Sequence, residues 1–173
     1  MEIRRLSAAD AAEFQALRLR GLRESPEAFG STYADEMDRP LDVVAQRLAG
    51  DPESGFVLGA ALEAGGALAG VAGCYRESSR KRRHVAIIWG MFVAPEARGR
   101  GLGGALLDAA VARAGEWPGV EQVTLTVVTG NASARALYVR HGFLSFGVEP
   151  RALRDDSRHY DMEYLWRPLG AAG

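Results

Sequence analysis

The chain has 173 residues, enough for one domain with a substantial hydrophobic core. Hydrophobic residues make up 47% of the chain and charged residues 25%, which is typical of an ordinary globular protein. The net charge of −1 gives no electrostatic reason to bind nucleic acid or an anionic membrane, so neither is expected as a partner.

The first fifty residues predict one strand and two helices. Residues 1–6 favour a short strand, and residues 7–10 resemble a capping box in which aspartate replaces the usual glutamate. Apolar residues at helical spacing extend the first helix to about residue 23. Residues 25–33 break it and predict a structured loop, and residues 41–49 favour a second helix.

An antiparallel meander follows these helices. Residues 55–63 and 67–77 favour two strands, and the Ala-Gly-Gly segment at 64–66 is a hairpin signal between them. Residues 78–83 are polar and basic and predict an exposed tip. The apolar residues 84–93 predict the third strand of the meander.

The second half predicts two helix–strand units and a final strand. A helix over residues 102–115 leads to a strand over residues 120–128. Asn131 suits the N-cap of a helix that ends near residue 140, where Gly142 suits the left-handed position after it. Two more strands are predicted, over residues 143–148 and 160–166.

Together these elements predict a single α/β domain over residues 1–173. Its mixed sheet should have about seven strands, antiparallel in the N-terminal half, with helices on both faces. The strands before and after the helix at 102–115 should be parallel, because a helical crossover joins them.

The most informative segment is the strand-to-helix junction Arg98-Gly99-Arg100-Gly101-Leu102-Gly103-Gly104. Glycine inside a helix costs roughly 0.8–1 kcal/mol relative to alanine. Close approach of a ligand to bare backbone would explain glycines at this helix start. A helix N-terminus also offers unpaired N–H groups and partial positive charge, so the segment predicts a phosphate or pyrophosphate site.

The same glycines leave a second interpretation open. Gly99, Gly101 and Gly104 match the dinucleotide pattern G-x-G-x-x-G. That pattern belongs after the first strand of the fold, with an acid at the end of the second strand. Here it lies past mid-chain, and the candidate acid, Glu121, precedes its strand. A P-loop is excluded, because no Gly-Lys-Ser/Thr follows.

Arg98 to Gly103 also matches Arg-x-x-Gly-x-Gly, which resembles the acetyl-CoA pyrophosphate loop of the GNAT superfamily of N-acetyltransferases. About 30 residues later, the segment from Asn131 to Tyr138, followed by His141-Gly142-Phe143, is similar to that family's second signature. Two signatures in this order are more specific than either alone. The resemblance covers about residues 84–146 and implies the GNAT fold, in which the two parallel strands splay apart around the cofactor arm.

The resemblance also implies a set of residues that bind acetyl-CoA. The pantetheine would pair with the backbone of the third meander strand, and the pyrophosphate would lie on the glycine loop. The implied residues are Met91, Phe92, Val93, Arg98, Gly99, Arg100, Gly101, Leu102, Gly103, Gly104 and Asn131.

The resemblance implies that Tyr138 is the catalytic residue, whereas its spacing alone would favour simple packing on the sheet. Attack of an amine on a thioester needs a proton donor for the departing thiolate, and a tyrosine hydroxyl can supply that proton. Tyr138 lies about 10 Å along the helix from Asn131, which suits contact with the two ends of the cofactor arm. Many family members carry a glutamate as base where this chain has Trp89. This departure leaves the base unassigned.

The acceptor pocket is predicted to form between the first helix region and the final strands. Its candidate residues are Phe29, Tyr33, Glu36 and Trp89. Glu36, Asp161 and Glu163 are carboxylates whose segments could reach the cleft, although each is expected to be a surface acid.

The sequence thus predicts acetyl transfer from acetyl-CoA, as cosubstrate, to a primary amine of a small molecule or peptide by direct attack in a ternary complex. A protein N-terminal acetyltransferase, a non-catalytic acyl-CoA-binding module and a dinucleotide oxidoreductase are the alternatives. A homodimer is compatible with the sequence.

Cysteine and histidine give no sign of a metal site. Cys74 lies in an apolar run and is expected to be a small buried hydrophobe, and the three histidines are scattered without ligand spacing. The N-terminus lacks an apolar signal core, and no stretch is long enough to be a membrane helix. We therefore expect a cytoplasmic protein without a metal.

Acetyl-CoA should raise the melting temperature of this protein, and NAD or NADP should not. A ligand at 100 times its dissociation constant adds about 2.7 kcal/mol to the free energy of unfolding. Thermal denaturation with each nucleotide measures the shift. A larger shift with NAD or NADP would favour the dinucleotide interpretation.

Overall fold

The computed structural model describes residues 1–170. Within this range the strands are β1 (Glu2–Arg5), β2 (Gly55–Ala61), β3 (Gly70–Arg76), β4 (Val85–Val93), β5 (Gln122–Val128), β6 (Leu144–Arg154) and β7 (His159–Pro168). The α-helices are α1 (Ala11–Glu24), α2 (Tyr33–Glu36), α3 (Leu41–Leu48), α4 (Leu102–Gly115) and α5 (Ala132–Arg140).

The strands form one mixed sheet in the order β1-β2-β3-β4-β5-β7-β6. In the part of the chain described here, β4 and β5 pair in parallel and every other neighbouring pair is antiparallel. The helical crossover α4 explains the parallel pair, since it carries the chain back to the end of the sheet at which β4 begins. The predicted fold class is therefore confirmed.

Helices cover both faces of the sheet. On one face, α4 buries Leu102, Leu106 and Leu107 against β2, β3 and β5. On the other face, α1 and α3 bury Phe14 and Val44, among others, in a second cluster. Cys74 is buried in the first cluster, and burial raises the pKa of its thiol to about 12, which makes it a packing residue.

The structure departs from the sequence prediction in the final hairpin and in the loop after α1. β6 and β7 are longer than expected, because their pairing continues through two irregularities. Apolar residues alternate along β6 only from Leu144 to Val148, and Pro150 follows, so the pattern does not indicate that the strand continues to Arg154. The loop contains the short helix α2, whose N-cap Thr32 accepts a hydrogen bond from the N–H of Asp35 at 3.2 Å.

The parallel pair separates shortly after it begins. Val85–Ile87 of β4 pair with Gln122–Thr124 of β5, and beyond these residues β4 pairs with β3 alone and β5 with β7 alone. Gly90 lies at the point of separation with φ +64, and an extra residue on β4 between the pairs to Gly73 and Val71 marks a bulge. A bulge bends its strand and increases the local twist. The result is a gap with an unpaired strand edge on each side.

The end of α5 is fixed by a Schellman motif, as the sequence predicted. The N–H of Phe143 donates to the carbonyl of Tyr138, and the N–H of Gly142 donates to the carbonyl of Val139, each at 3.1 Å. Gly142 adopts φ +83, which favours glycine. The motif places the fully buried ring of Phe143 6.2 Å from the ring of Tyr138, centroid to centroid.

Candidate active site

A cleft of about 1140 Å³ opens where β4 and β5 separate. Most of the predicted cofactor residues line it, together with the predicted catalytic tyrosine: Met91, Phe92, Val93, Arg98, Gly99, Gly101, Leu102, Gly103, Gly104, Asn131 and Tyr138. Arg100 is exposed and is not part of the lining. Segments about 40 residues apart in sequence therefore meet around one cavity.

The glycine loop lines this cleft and leads into the start of α4. Gly99 and Gly101 adopt φ +73 and +81, which bend the loop into the start of α4. The N–H of Ala105 donates to the carbonyl of Gly101 at 3.0 Å, so the N–H groups of residues 102–104 come before the first N–H that donates within the helix. Arg98 braces the loop, because its Nε donates to the carbonyl of Val93 at 3.0 Å. This arrangement suits an anion.

The two helical glycines have different reasons for lacking a side chain. A Cβ on Gly104 would lie 2.8 Å from Nε2 of His141, so Gly104 permits α4 to pack against the end of α5. This contact explains Gly104 without the ligand approach that the sequence suggested. A Cβ on Gly103 would make only ordinary contacts, at 3.4 Å or more, with cleft residues such as Leu137 and Met91.

Tyr138 lies in the wall of the cleft and is 7% exposed. Burial raises the pKa of its hydroxyl to about 12, since a tyrosinate would be poorly solvated there. The hydroxyl therefore stays protonated at neutral pH and can act as a donor. Asn131, at the other end of α5, uses its Oδ1 to accept from the N–H of Ala134 at 3.1 Å, so its side chain caps the helix.

A second cavity, of about 650 Å³, lies beside the cleft, and Phe29 lines both. The predicted pocket residues Phe29, Glu36 and Trp89 surround this cavity, and Arg18 and Arg47 complete its charged lining together with Asp51. Tyr33, also predicted for the pocket, lies outside this lining. Its ring packs against the guanidinium of Arg23, 4.1 Å away, and its hydroxyl accepts a hydrogen bond from that guanidinium.

Comparison with known proteins explains this architecture. The chain matches the model of the acetyltransferase (GNAT) family over residues 19–143, more than half of its length. It belongs to the GNAT family. Membership supports acetyl transfer as the general activity and acetyl-CoA as the cosubstrate of this GNAT protein.

Solved structures agree with this assignment. A GNAT acetyltransferase from Streptococcus pneumoniae has 25% identity and a TM-score of 0.86, with 97% of this chain and 99% of that chain covered. A ribosomal-protein-alanine N-acetyltransferase from Brucella melitensis has 25% identity and a TM-score of 0.80, with 98% and 100% covered. A putative acetyltransferase from Salmonella typhimurium, solved with its cofactor acetyl-CoA, shares the fold at 22% identity and a TM-score of 0.82, with 100% and 96% covered.

Two of the candidate carboxylates, Glu36 and Glu163, are poorly suited to act as a general base in this GNAT protein. Burial raises the pKa of Glu36, but hydrogen bonds from Arg18 and Ser31 outweigh it and the net shift is downward. The bidentate contact from Arg135, at 2.7 and 3.1 Å, lowers the pKa of Glu163. Both carboxylates are buried, so the expectation that they are surface acids is wrong.

Trp89 occupies the position where many family members carry the glutamate. Its indole lies on Gly73 of the neighbouring strand, where a Cβ would be 2.2 Å from the ring. The guanidinium of Arg47, a residue of α3, lies 4.1 Å from the centroid of this indole ring. The position therefore forms an aromatic and cationic wall of the second cavity.

Sequence reasoning missed Arg18 and Arg47. Arg18 follows Phe14 by four residues, so it lies on the apolar stripe of α1, and this spacing was the available signal that it is buried. Arg47 follows Val44 by three residues, but it is exposed and no sequence pattern connects it with Trp89.

Gly103→Ala should weaken acetyl-CoA binding about tenfold or more while the fold stays at least as stable. The fold should be at least as stable because alanine is favoured over glycine in a helix by roughly 0.8–1 kcal/mol, and the added methyl group meets only ordinary contacts within the protein. The affinity should fall because the methyl group would take up space where the phosphate oxygens are expected to bind. Calorimetric titration and chemical denaturation measure the two effects, and Gly103→Val should lose more affinity.

Gly115→Ala, at the opposite end of α4, is the matched control. Its Cβ would lie 3.6 Å from Leu169, outside the cleft, so acetyl-CoA affinity should not change. Full affinity in a folded Gly103→Val variant would exclude the loop as the pyrophosphate site.

Proposed function

We propose that this protein transfers the acetyl group of acetyl-CoA to a primary amine of a small molecule or peptide, by direct attack in a ternary complex. The observation that carries the proposal is the gap between β4 and β5, which has the glycine loop at its mouth and Tyr138 in its wall. The second cavity shares the lining residue Phe29 with this gap and offers the acceptor a separate place.

The chain offers suitable groups along the whole gap. The N–H groups of residues 102–104 and the bent loop before them suit the pyrophosphate. The edge of β4 at residues 91–93 lacks a strand partner on the β5 side, so its backbone groups can pair with the amides of the pantetheine. Acetyl-CoA supplies the activated acetyl group, as a thioester.

Tyr138 would supply the proton that the reaction needs. The nitrogen of the neutral amine bonds to the thioester carbonyl carbon, and the carbon–sulfur bond breaks. The Tyr138 hydroxyl protonates the departing thiolate, the amine nitrogen loses its own proton to water, and water returns a proton to the tyrosinate, so the products are an amide and free CoA and Tyr138 is restored. Burial disfavours a thiolate in this wall for the same reason that it disfavours the tyrosinate, so the pKa of the leaving thiol would also be raised there.

Within residues 1–170, the three candidate carboxylates are already engaged: Glu36 and Glu163 are held by arginines, and Asp161 accepts a hydrogen bond from the N–H of Arg151 at 2.7 Å. The amine must therefore reach the cleft in its neutral form.

Tyr138→Phe should lower the rate of acetylation by about 100-fold or more and leave acetyl-CoA affinity nearly unchanged, since only the hydroxyl is lost. Turnover of an identified amine, followed as free thiol, measures the rate, and calorimetry measures affinity. Tyr164→Phe is a matched control: its hydroxyl contacts Glu149 outside the cleft.

An unchanged rate in Tyr138→Phe, with chemistry shown to limit turnover, would remove Tyr138 from the mechanism. Tight acetyl-CoA binding without acetylation of any amine would instead favour the non-catalytic acyl-CoA-binding module.

The value of kcat/KM should rise with pH until the acceptor amine is deprotonated. No decrease in kcat/KM is expected at any pH up to about 10. The amine reacts only after it loses a proton, whereas Tyr138 acts only while protonated, and its pKa of about 12 keeps it protonated over this range. A pH–rate profile with one amine tests both limbs. A falling limb near neutral pH would contradict the assignment of Tyr138 as the acid.

A further inference from the structure

The second cavity contains a buried guanidinium whose hydrogen bonds are incomplete. Arg18 is 7% exposed. Its Nε and Nη2 donate to the carboxylate of Glu36 at 3.3 and 3.0 Å, and Nη2 also donates to Oγ of Ser31 at 2.7 Å. Its Nη1 is buried and has no hydrogen-bond partner among residues 1–170. An unpaired buried donor is unfavourable, so it favours a ligand with an acceptor atom.

The free nitrogen lies beside a part of the cavity wall that has no side chain. A Cβ placed on Gly90 would meet Arg18 Nη1 at 3.5 Å and no other atom within 4 Å, apart from its own chain neighbours. Gly90 and Arg18 both line the cavity. A ligand atom above Gly90 would therefore have space and a charged N–H donor next to it.

Arg47 provides a second cation at the same cavity. Its guanidinium lies against Trp89, the residue before Gly90, and makes no salt bridge or side-chain hydrogen bond with the described residues. The two acids of the lining are already engaged: Glu36 with Arg18, and Asp51 with the N–H of Glu53 at 2.9 Å. Among the charged side chains of this lining within residues 1–170, the groups that remain unengaged are therefore cationic: the Arg47 guanidinium and Nη1 of Arg18.

We propose that the acceptor is a free amino acid, that is, an amine that also carries a carboxylate. The carboxylate binds Arg47 and the free Nη1 of Arg18 above Gly90, and the amine points past Phe29 toward the cleft. Glu36 and Ser31 position Arg18 for this role. The inference rests on the proposed acetyltransferase function and narrows its substrate class. A peptide N-terminus lacks a carboxylate beside the amine and fits the cavity less well.

The test compares the standard L-amino acids with their primary amides, which keep the amine and side chain but lose the carboxylate charge. The value of kcat/KM with saturating acetyl-CoA is measured for each pair in the wild-type protein and in Arg47→Met. The methionine keeps an apolar side chain on Trp89 and removes the charge. For amino acids the variant should lose about 10- to 100-fold, the effect of a hydrogen bond to a charged group. For amides the loss should be less than about threefold.

Three further variants sharpen the comparison. Arg47→Lys keeps the charge and should recover part of the activity toward amino acids. Arg18→Lys keeps a cation beside Glu36 but loses the guanidinium geometry, so it should also reduce the preference for the carboxylate. Arg80→Met removes the same charge from an exposed loop and should change neither substrate series.

The outcomes separate this inference from the proposed function. The inference would be overturned if amides or carboxylate-free amines were acetylated with the same kcat/KM as amino acids and lost the same activity in Arg47→Met. Acetyl transfer as the proposed function would remain intact in that case. If no amine in either series is acetylated, the proposed function fails. Calorimetric binding of the two series to the CoA-loaded protein then decides the inference, and binding that does not depend on the carboxylate overturns it.

Discussion

The early separation of β4 from β5 is the constraint on which the rest of this structure depends. Backbone N–H and C=O groups inside a sheet are normally paired. The pairing of β4 with β5, however, extends only as far as the pair Ile87–Thr124. Each strand keeps its partner on the outer side, so the sheet remains continuous while two inner edges stay open. An extended ligand with amide groups can complete these edges, as a strand would.

The bulge at Gly90 lies between the two cavities, since Trp89 and Gly90 line one of them and Met91 and Phe92 line the other. The bend that opens the cleft also brings Trp89 over Gly73, where the absence of a side chain leaves room for the indole. Arg47 packs on that indole, and Arg18 reaches the same wall from α1. A change in the backbone of one strand thus shapes the cofactor side and the acceptor side together.

The two helices that border the cleft are also held to each other. Gly104 near the start of α4 lies against His141 at the end of α5, and Nδ1 of His141 contacts the carboxylate of Asp108 at 2.8 Å. The helix that carries Tyr138 is therefore fixed relative to the glycine loop that lines the cleft. This packing sets the distance between an anion site and a proton donor, which a two-ended ligand requires.

Local sequence signals determined the elements and the cofactor side of the site. Hydrophobic periodicity placed the strands and helices, and the cap residues Asn131 and Gly142 act in the structure as their chemistry predicted. The glycine loop could be identified because positive φ and a ligand-binding helix start both require particular residues at adjacent positions. The length of β6 could not be predicted, since its apolar alternation ends at Val148 and Pro150 follows, while the pairing with β7 continues to Arg154.

Only the tertiary structure decided the acceptor side. Arg18, Arg47 and Trp89 come from two helices and a strand, and their contacts depend on how those elements pack. The sequence could not show that Glu36 is paired with a buried arginine, or that Tyr33 lies outside the cavity beside Arg23. Local preferences act over a few neighbouring residues, whereas the charge and shape of a cavity arise from long-range contacts that exist only once the chain has folded.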